Sequence, residues 1–126
     1  MCQRRRSRSG AVTSSAGRHL LGSGAGSVLT LASRARPRSA SLRDQLDRAA
    51  SSTVLNLAEG VGRSTAADQA RCFAIARGSA LECVAIWDIL RAQGVLSGDD
   101  HSEGRRLLAR VVAMLTRLMR AGHRAP

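Results

Sequence analysis

From Leu42 onward the apolar positions recur every three or four residues, which is the period of a helix with one buried side. Leu42, Leu46, Ala49, Thr53 and Leu57, joined by Ala50 and Val54, form one stripe, while Arg43, Asp44, Asp47, Arg48 and Ser51 fall on other faces. The pattern predicts a helix over about residues 42–59, capped by Ser41 and stopped in a tight turn by Gly60 and Gly62. A longer helix is predicted over about 66–93. Thr65 and Asp68 have capping-box spacing, with Asp in place of the usual Glu. Phe73, Ala76, Ala80, Cys83, Trp87 and Leu90 make its first apolar line, and Ile75, Val84, Ile86 and Ile89 a second. Two apolar lines predict burial on two sides, one against the bundle and one against a second subunit. Gly94 ends this helix. Ser97, followed by Asp99 and Asp100, opens the last one, over about 98–121. Leu107, Leu108, Val111, Met114, Leu115, Leu118 and Met119 line one of its sides.

The segment before Pro37 is weaker. Leu21, Ala25, Val28 and Ala32 keep helical spacing, but Gly22, Gly24 and Gly26 each cost about 1 kcal/mol relative to alanine. A frayed helix over about 18–35, formed only by docking, is the expectation. No segment alternates with period two over a strand length. The fold class expected is therefore all-α, an up-down four-helix bundle over 17–124 with a weak first helix. Residues 1–16 are an Arg/Ser/Gly-rich stretch of low complexity, expected to be a disordered basic tail.

Charge sharpens this picture. The 126-residue chain carries a net charge of +11, with no lysine, so every cation of its 20 basic residues is a guanidinium. The first 40 residues hold eight arginines and no acid. Guanidinium forks match phosphate oxygens better than ammonium groups do. Phe73 and Trp87 are the two aromatics, too few for a single-strand reader built on stacked bases. The odd cysteine count, Cys2, Cys72 and Cys83, suggests a reducing compartment. Cys72 and Cys83 would lie roughly 16 Å apart on one helix, too far to bridge, and read as small buried hydrophobes. No run of 18 apolar residues exists, so a membrane span is not expected. The acid-free N-terminus has transit-peptide composition, but a cytoplasmic location with an unstructured tail, or a misassigned start, is the expectation.

Candidate chemistry is sparse. The Gly60-Val61-Gly62-Arg63-Ser64 segment resembles a phosphate loop only superficially, since no Lys-Ser/Thr pair follows and no strand precedes. His19, His101 and His123 are dispersed, and no Cys or His pair has metal-ligand spacing. No catalytic residue, cofactor or metal is expected, and the chain does not read as an enzyme. The informative feature is on the last helix. Arg106, Arg110, Arg117, Arg120 and Arg124 fall within about 80° of one another at 100° per residue, and no acid follows Glu103. A single-sign stripe about 27 Å long calls for a counter-charge. An anionic partner such as nucleic acid, a plain solvated face and an anionic membrane surface are the three readings. The membrane is weakest because the face lacks Trp or Phe anchors. Asn56 and Glu59, at i and i+3, also stand out. Glu59 near a helix C-terminus opposes the dipole and needs a partner, with Arg63 and Arg77 as candidates. A network closing the turn and a ligand contact are both open.

Three strings carry a family resemblance: Gln45-Leu46-Asp47-Arg48-Ala49-Ala50-Ser51-Ser52, Asn56-Leu57-Ala58-Glu59-Gly60-Val61-Gly62-Arg63 and Ile75-Ala76-Arg77-Gly78-Ser79-Ala80-Leu81-Glu82. Together they are similar to the four-helix-bundle family of 23S ribosomal RNA intervening-sequence proteins, over about residues 42–121. Gln45, Asn56, Glu59, Gly60, Gly62, Arg63, Gly78, Ser79 and Glu82 match as a structural motif. Val54, Asp47, Gln69 and Cys72 depart from the usual Pro, basic residue and aromatics. The resemblance implies an up-down bundle assembling as a ring, a homopentamer, without catalytic activity. It also implies kinship with basic accessory proteins of diversity-generating retroelements, which bind nucleic acid and a reverse transcriptase. The function expected is electrostatic, non-sequence-specific binding of RNA or DNA. A protein-interaction adaptor using the second apolar face, or a decayed family member with only a structural role, is the alternative.

Overall fold

The computed structural model describes residues 24–34 and 39–123, and every element among them is a helix. Helix α1 is Ala25–Arg34, α2 Ala40–Gly62, α3 Ala66–Ala92 and α4 Gly98–His123. Each packs on its two neighbours in the order α1, α2, α3, α4 and back to α1. Ser52 meets Ser79 across α2 and α3, and Arg77 meets Thr116 across α3 and α4, so successive long helices run antiparallel. This is the expected four-helix bundle. The predicted tail over 1–16 and the predicted start of the first helix lie outside the described residues.

The core follows the apolar stripes. Phe73, Leu90 and Leu115 are fully buried, joined by Leu57, Leu108 and Trp87. Each such side chain contributes about 2 kcal/mol by leaving water. Helix α1 has 10 residues against 23, 27 and 26 for the others. It docks through Val28, Leu31 and Ala32, all buried, as a segment too short to hold itself helical requires.

The helix ends are built by short polar side chains. Thr65 Oγ1 accepts from the Asp68 backbone N–H at 3.2 Å and donates to its carboxylate at 2.8 Å. Ser97 and Asp100 repeat the arrangement at the start of α4. Two expectations are corrected at α2. Its N-cap is Ser39, whose Oγ accepts from Leu42 N–H, and Ser41 stands exposed inside the first turn. Gly60 and Gly62 do not stop the helix, which runs through both to a cap at Arg63. Gly60 instead lets α3 come close. A Cβ there would lie 2.6 Å from the Phe73 ring. The left-handed turn falls at Gly94, φ 70°, after α3.

Candidate nucleic-acid interface

Helix α4 has opposed faces because its apolar side chains repeat in phase with the turn. Leu108, Val111, Leu115 and Leu118 are buried, and Arg106, Arg110, Arg117 and Arg120 point outward, exposed. Arg124, the fifth residue of the predicted stripe, lies outside the described residues. Ion pairs among the described residues join Arg63 to Glu59, and His101 and Arg105 to Asp88. None involves the four exposed stripe arginines. Arg105 is turned about 100° away from Arg106, toward α3, and its Nε lies 3.4 Å from Asp88. Among the described residues the stripe therefore remains uncompensated while its sequence neighbour is paired. Asp99 and Glu103 share the stripe's side of the helix only at its first turns, before Arg106.

One cation of this surface was not legible as such. Arg77, on α3, donates from Nε to Thr116 Oγ1 at 2.8 Å, and Thr116 donates to the Val112 carbonyl. Its Nε is thereby anchored at Thr116, the residue before Arg117. Sequence spacing offered Arg77 as a partner for Glu59, which pairs with Arg63 instead. Only the antiparallel register of α3 and α4 reveals where Arg77 stands.

Five of the family-motif residues, Asn56, Glu59, Gly60, Arg63 and Ser79, stand elsewhere, between α2 and α3. Asn56 Nδ2 donates to the Ser52 carbonyl at 2.9 Å and to Ser52 Oγ at 3.2 Å. Ser52 Oγ lies 2.7 Å from Ser79 Oγ, which itself reaches the Ile75 carbonyl. This chain of bonds ties the two helices. Nearby, Asn56, Glu59, Arg63, Asp68, Arg71, Cys72 and Ile75 line an open cleft of about 300 Å³. The Glu59 carboxylate raises the Arg63 guanidinium further above its ordinary value. Gln69 closes the loop by donating to the Arg63 carbonyl. Gln45, Gly62, Gly78 and Glu82 are exposed, whereas Gly60 is buried.

Among the described residues thiol chemistry finds no support, and Cys2 lies outside them. Cys72 and Cys83 are buried and unbridged. Burial, then Glu82, pushes the Cys83 thiol up to about 11, which leaves almost no thiolate near neutrality. His101 Nε2 sits 2.8 Å from Asp88 Oδ1, and His123 Nδ1 lies against the Met119 carbonyl. His19 is outside the described residues. Among the described residues no three His, Cys, Asp or Glu side chains gather as a metal site, and no helix is long and apolar enough to cross a membrane.

The second apolar line of α3 is divided. Ile86 is buried and Val84 half-buried, but Ile75 and Ile89 are exposed, together with Leu81 and with Leu55 of α2 at 67%. Ile86 thus belongs to the core, and the outer apolar surface is carried by the other four.

The family described as 23S rRNA-intervening sequence protein matches residues 27–117. No curated protein and no solved structure matches the chain.

Proposed function

The chain belongs to the 23S rRNA-intervening sequence protein family, and from that premise we propose that it is a non-enzymatic nucleic-acid-binding bundle whose contact surface is the outer face of α4. The observation that carries this reading is the row of exposed guanidiniums at Arg106, Arg110, Arg117 and Arg120, which take part in no ion pair among the described residues. Such a row contacts phosphates and reads no bases. Retention of RNA or DNA is expected to fall steeply with salt. The log–log slope should reach about −3.6 from the four stripe arginines alone on a duplex, at about −0.9 per phosphate, and steeper still with the tail. A slope near −1 or flatter would rule the stripe out as the main contact.

A second reading, self-association, is favoured by the exposed Leu55, Ile75, Leu81 and Ile89. It makes the bundle a homo-oligomer, a pentamer by the family resemblance, joined through the outer face of α3. Light scattering is expected to give several times 13.3 kDa for the native chain. The Ile75→Asp/Ile89→Asp variant should drop to monomer mass with its helical signal kept. A native monomer, or an assembly indifferent to both substitutions, overturns this reading. In its finer form the proposal makes the bundle an accessory to a reverse transcriptase, with α4 for the nucleic acid and the apolar face for proteins.

A further inference from the structure

The stripe on α4 is not evenly spaced. Arg106 and Arg110 form one cluster, and Arg117 and Arg120 another, their centres about 16 Å apart along the helix. Between them the outward position is Ala113, which is exposed. Arg77 of α3 is held by Thr116, the residue before Arg117. The middle of the stripe is therefore low and uncharged, with a cationic cluster on either side of it.

We infer that the nucleic acid this face takes is a double helix, with α4 lying across one of its grooves and each cluster holding one rim of phosphates. The inference rests on the nucleic-acid reading above and narrows it. A single strand offers a continuous row of phosphates, for which evenly spaced cations would serve better. Binding single strands tightly also requires aromatic platforms for the bases. Phe73 and Trp87 are 0% and 2% exposed, so neither is available for stacking. A groove presents the opposite pattern, two phosphate rims with nothing anionic between them at the same height. The major groove of B-form DNA is about 12 Å wide between its walls, so the phosphates on its rims stand several ångströms further apart. The minor groove of A-form RNA is likewise wide, and it is shallow. Either suits two clusters about 16 Å apart carried on side chains that can lean inward or outward. Alanine at 113 lets the helix backbone settle low over the gap. With no long polar side chain at the centre, the seat reads shape and charge but not sequence.

The test compares four probes with the full chain at salt concentrations from about 50 to 200 mM: a duplex RNA of one defined sequence, the same sequence as duplex DNA, and a single strand of each. At least one duplex is expected to bind tenfold or more tighter than its own single strand at equal salt, and the preferred duplex assigns the groove. Arg106→Gln/Arg110→Gln and Arg117→Gln/Arg120→Gln are each expected to lower the slope by about two. Each alone should reduce duplex affinity to the single-strand level, because one cluster can only follow one backbone. These side chains are exposed and unpaired, so helical content should be unchanged. Equal affinity for duplex and single strand, with both pairs still contributing, overturns the groove seat and leaves the nucleic-acid reading standing. Retention indifferent to all four substitutions overturns both.

Discussion

A chain carrying Arg106→Glu, Arg110→Glu and Arg117→Glu together is expected to retain RNA or DNA at least about a thousandfold less well than the native chain at low salt. A hydrogen bond to a charged group contributes about 1.5–3 kcal/mol, so losing three removes roughly three decades or more at 1.4 kcal/mol per decade. The three new carboxylates then repel the phosphates they replace contacts with. The fold should not change. All three side chains are exposed and take part in no ion pair among the described residues, and surface substitutions of this kind usually shift stability by no more than about 0.5 kcal/mol. The substitutions lower the net charge from +11 to +5, which would itself weaken any polyanion binding. A second variant separates the two effects. Arg43→Glu, Arg48→Glu and Arg71→Glu produce the same net charge from exposed positions on α2 and α3, away from the stripe. That variant should keep most of the retention. If the two variants fall equally, bulk charge and the arginine-rich N-terminal stretch carry the binding, and α4 is not the site. If retention survives the α4 reversal, the proposed interface is wrong.

Much of this architecture was legible in the sequence because burial imposes a period that composition cannot imitate. Leu46, Ala49, Thr53 and Leu57 on α2, and Phe73 through Leu90 on α3, were placed inward by spacing alone, and they are inward. Thr65 was legible from its capping-box spacing to Asp68, and Ser97 from the acidic first turn of Asp99 and Asp100 that follows it. The misses have physical causes as particular. Ser39 and Ser41 are both good caps, and the choice between them depends on where the chain enters from α1. Gly60 and Gly62 looked like a stop because glycine is the usual C-terminal residue of helices. What Gly60 supplies is the missing Cβ that Phe73 needs, a tertiary demand invisible in one segment. Ile86 was grouped with Ile75 and Ile89, yet on α3 it lies nearer the core side by enough to be covered. Arg77 joined the basic surface only through the register of two helices 39 residues apart in sequence. The outward side of Arg106, Arg110, Arg117 and Arg120 was readable because a helix puts residues 4, 7 and 3 apart on one side whatever it packs against. Whether those cations were compensated by carboxylates from other helices was not readable, since that depends on the whole bundle.

Replacing Gly104 with alanine is expected to cost about 2–3 kcal/mol, although alanine is the better helix former by about 1 kcal/mol. The reason is the indole of Trp87, which lies close against α4 at Gly104. A Cβ at position 104 would sit 2.3 Å from Trp87 Nε1 and 2.4 Å from Cε2. Trp87 is 2% exposed and its Nε1 donates to the His101 carbonyl at 3.2 Å, so it cannot swing away without breaking that bond and opening the core. Either α4 moves off α3 or the hydrogen bond is lost. For a domain of this size the melting temperature should fall by roughly 10–20 °C. Two controls identify the cause. Gly78→Ala, where nothing lies within 4 Å of the added Cβ and the position is exposed, should stabilise the chain by about 0.4–1 kcal/mol. Trp87→Phe made in the Gly104→Ala background should recover part of the loss, with a coupling of about 1 kcal/mol or more. Position 104 and the stripe are set by one rotation of α4. The side facing Trp87 lies about 160° from the mean direction of Arg106, Arg110, Arg117 and Arg120 at 100° per residue, so the contact that hides Gly104 is what turns the guanidiniums to solvent. A Gly104→Ala chain as stable as the native one would mean that α4 is rotated differently, and the outward row of arginines would have to be abandoned along with it.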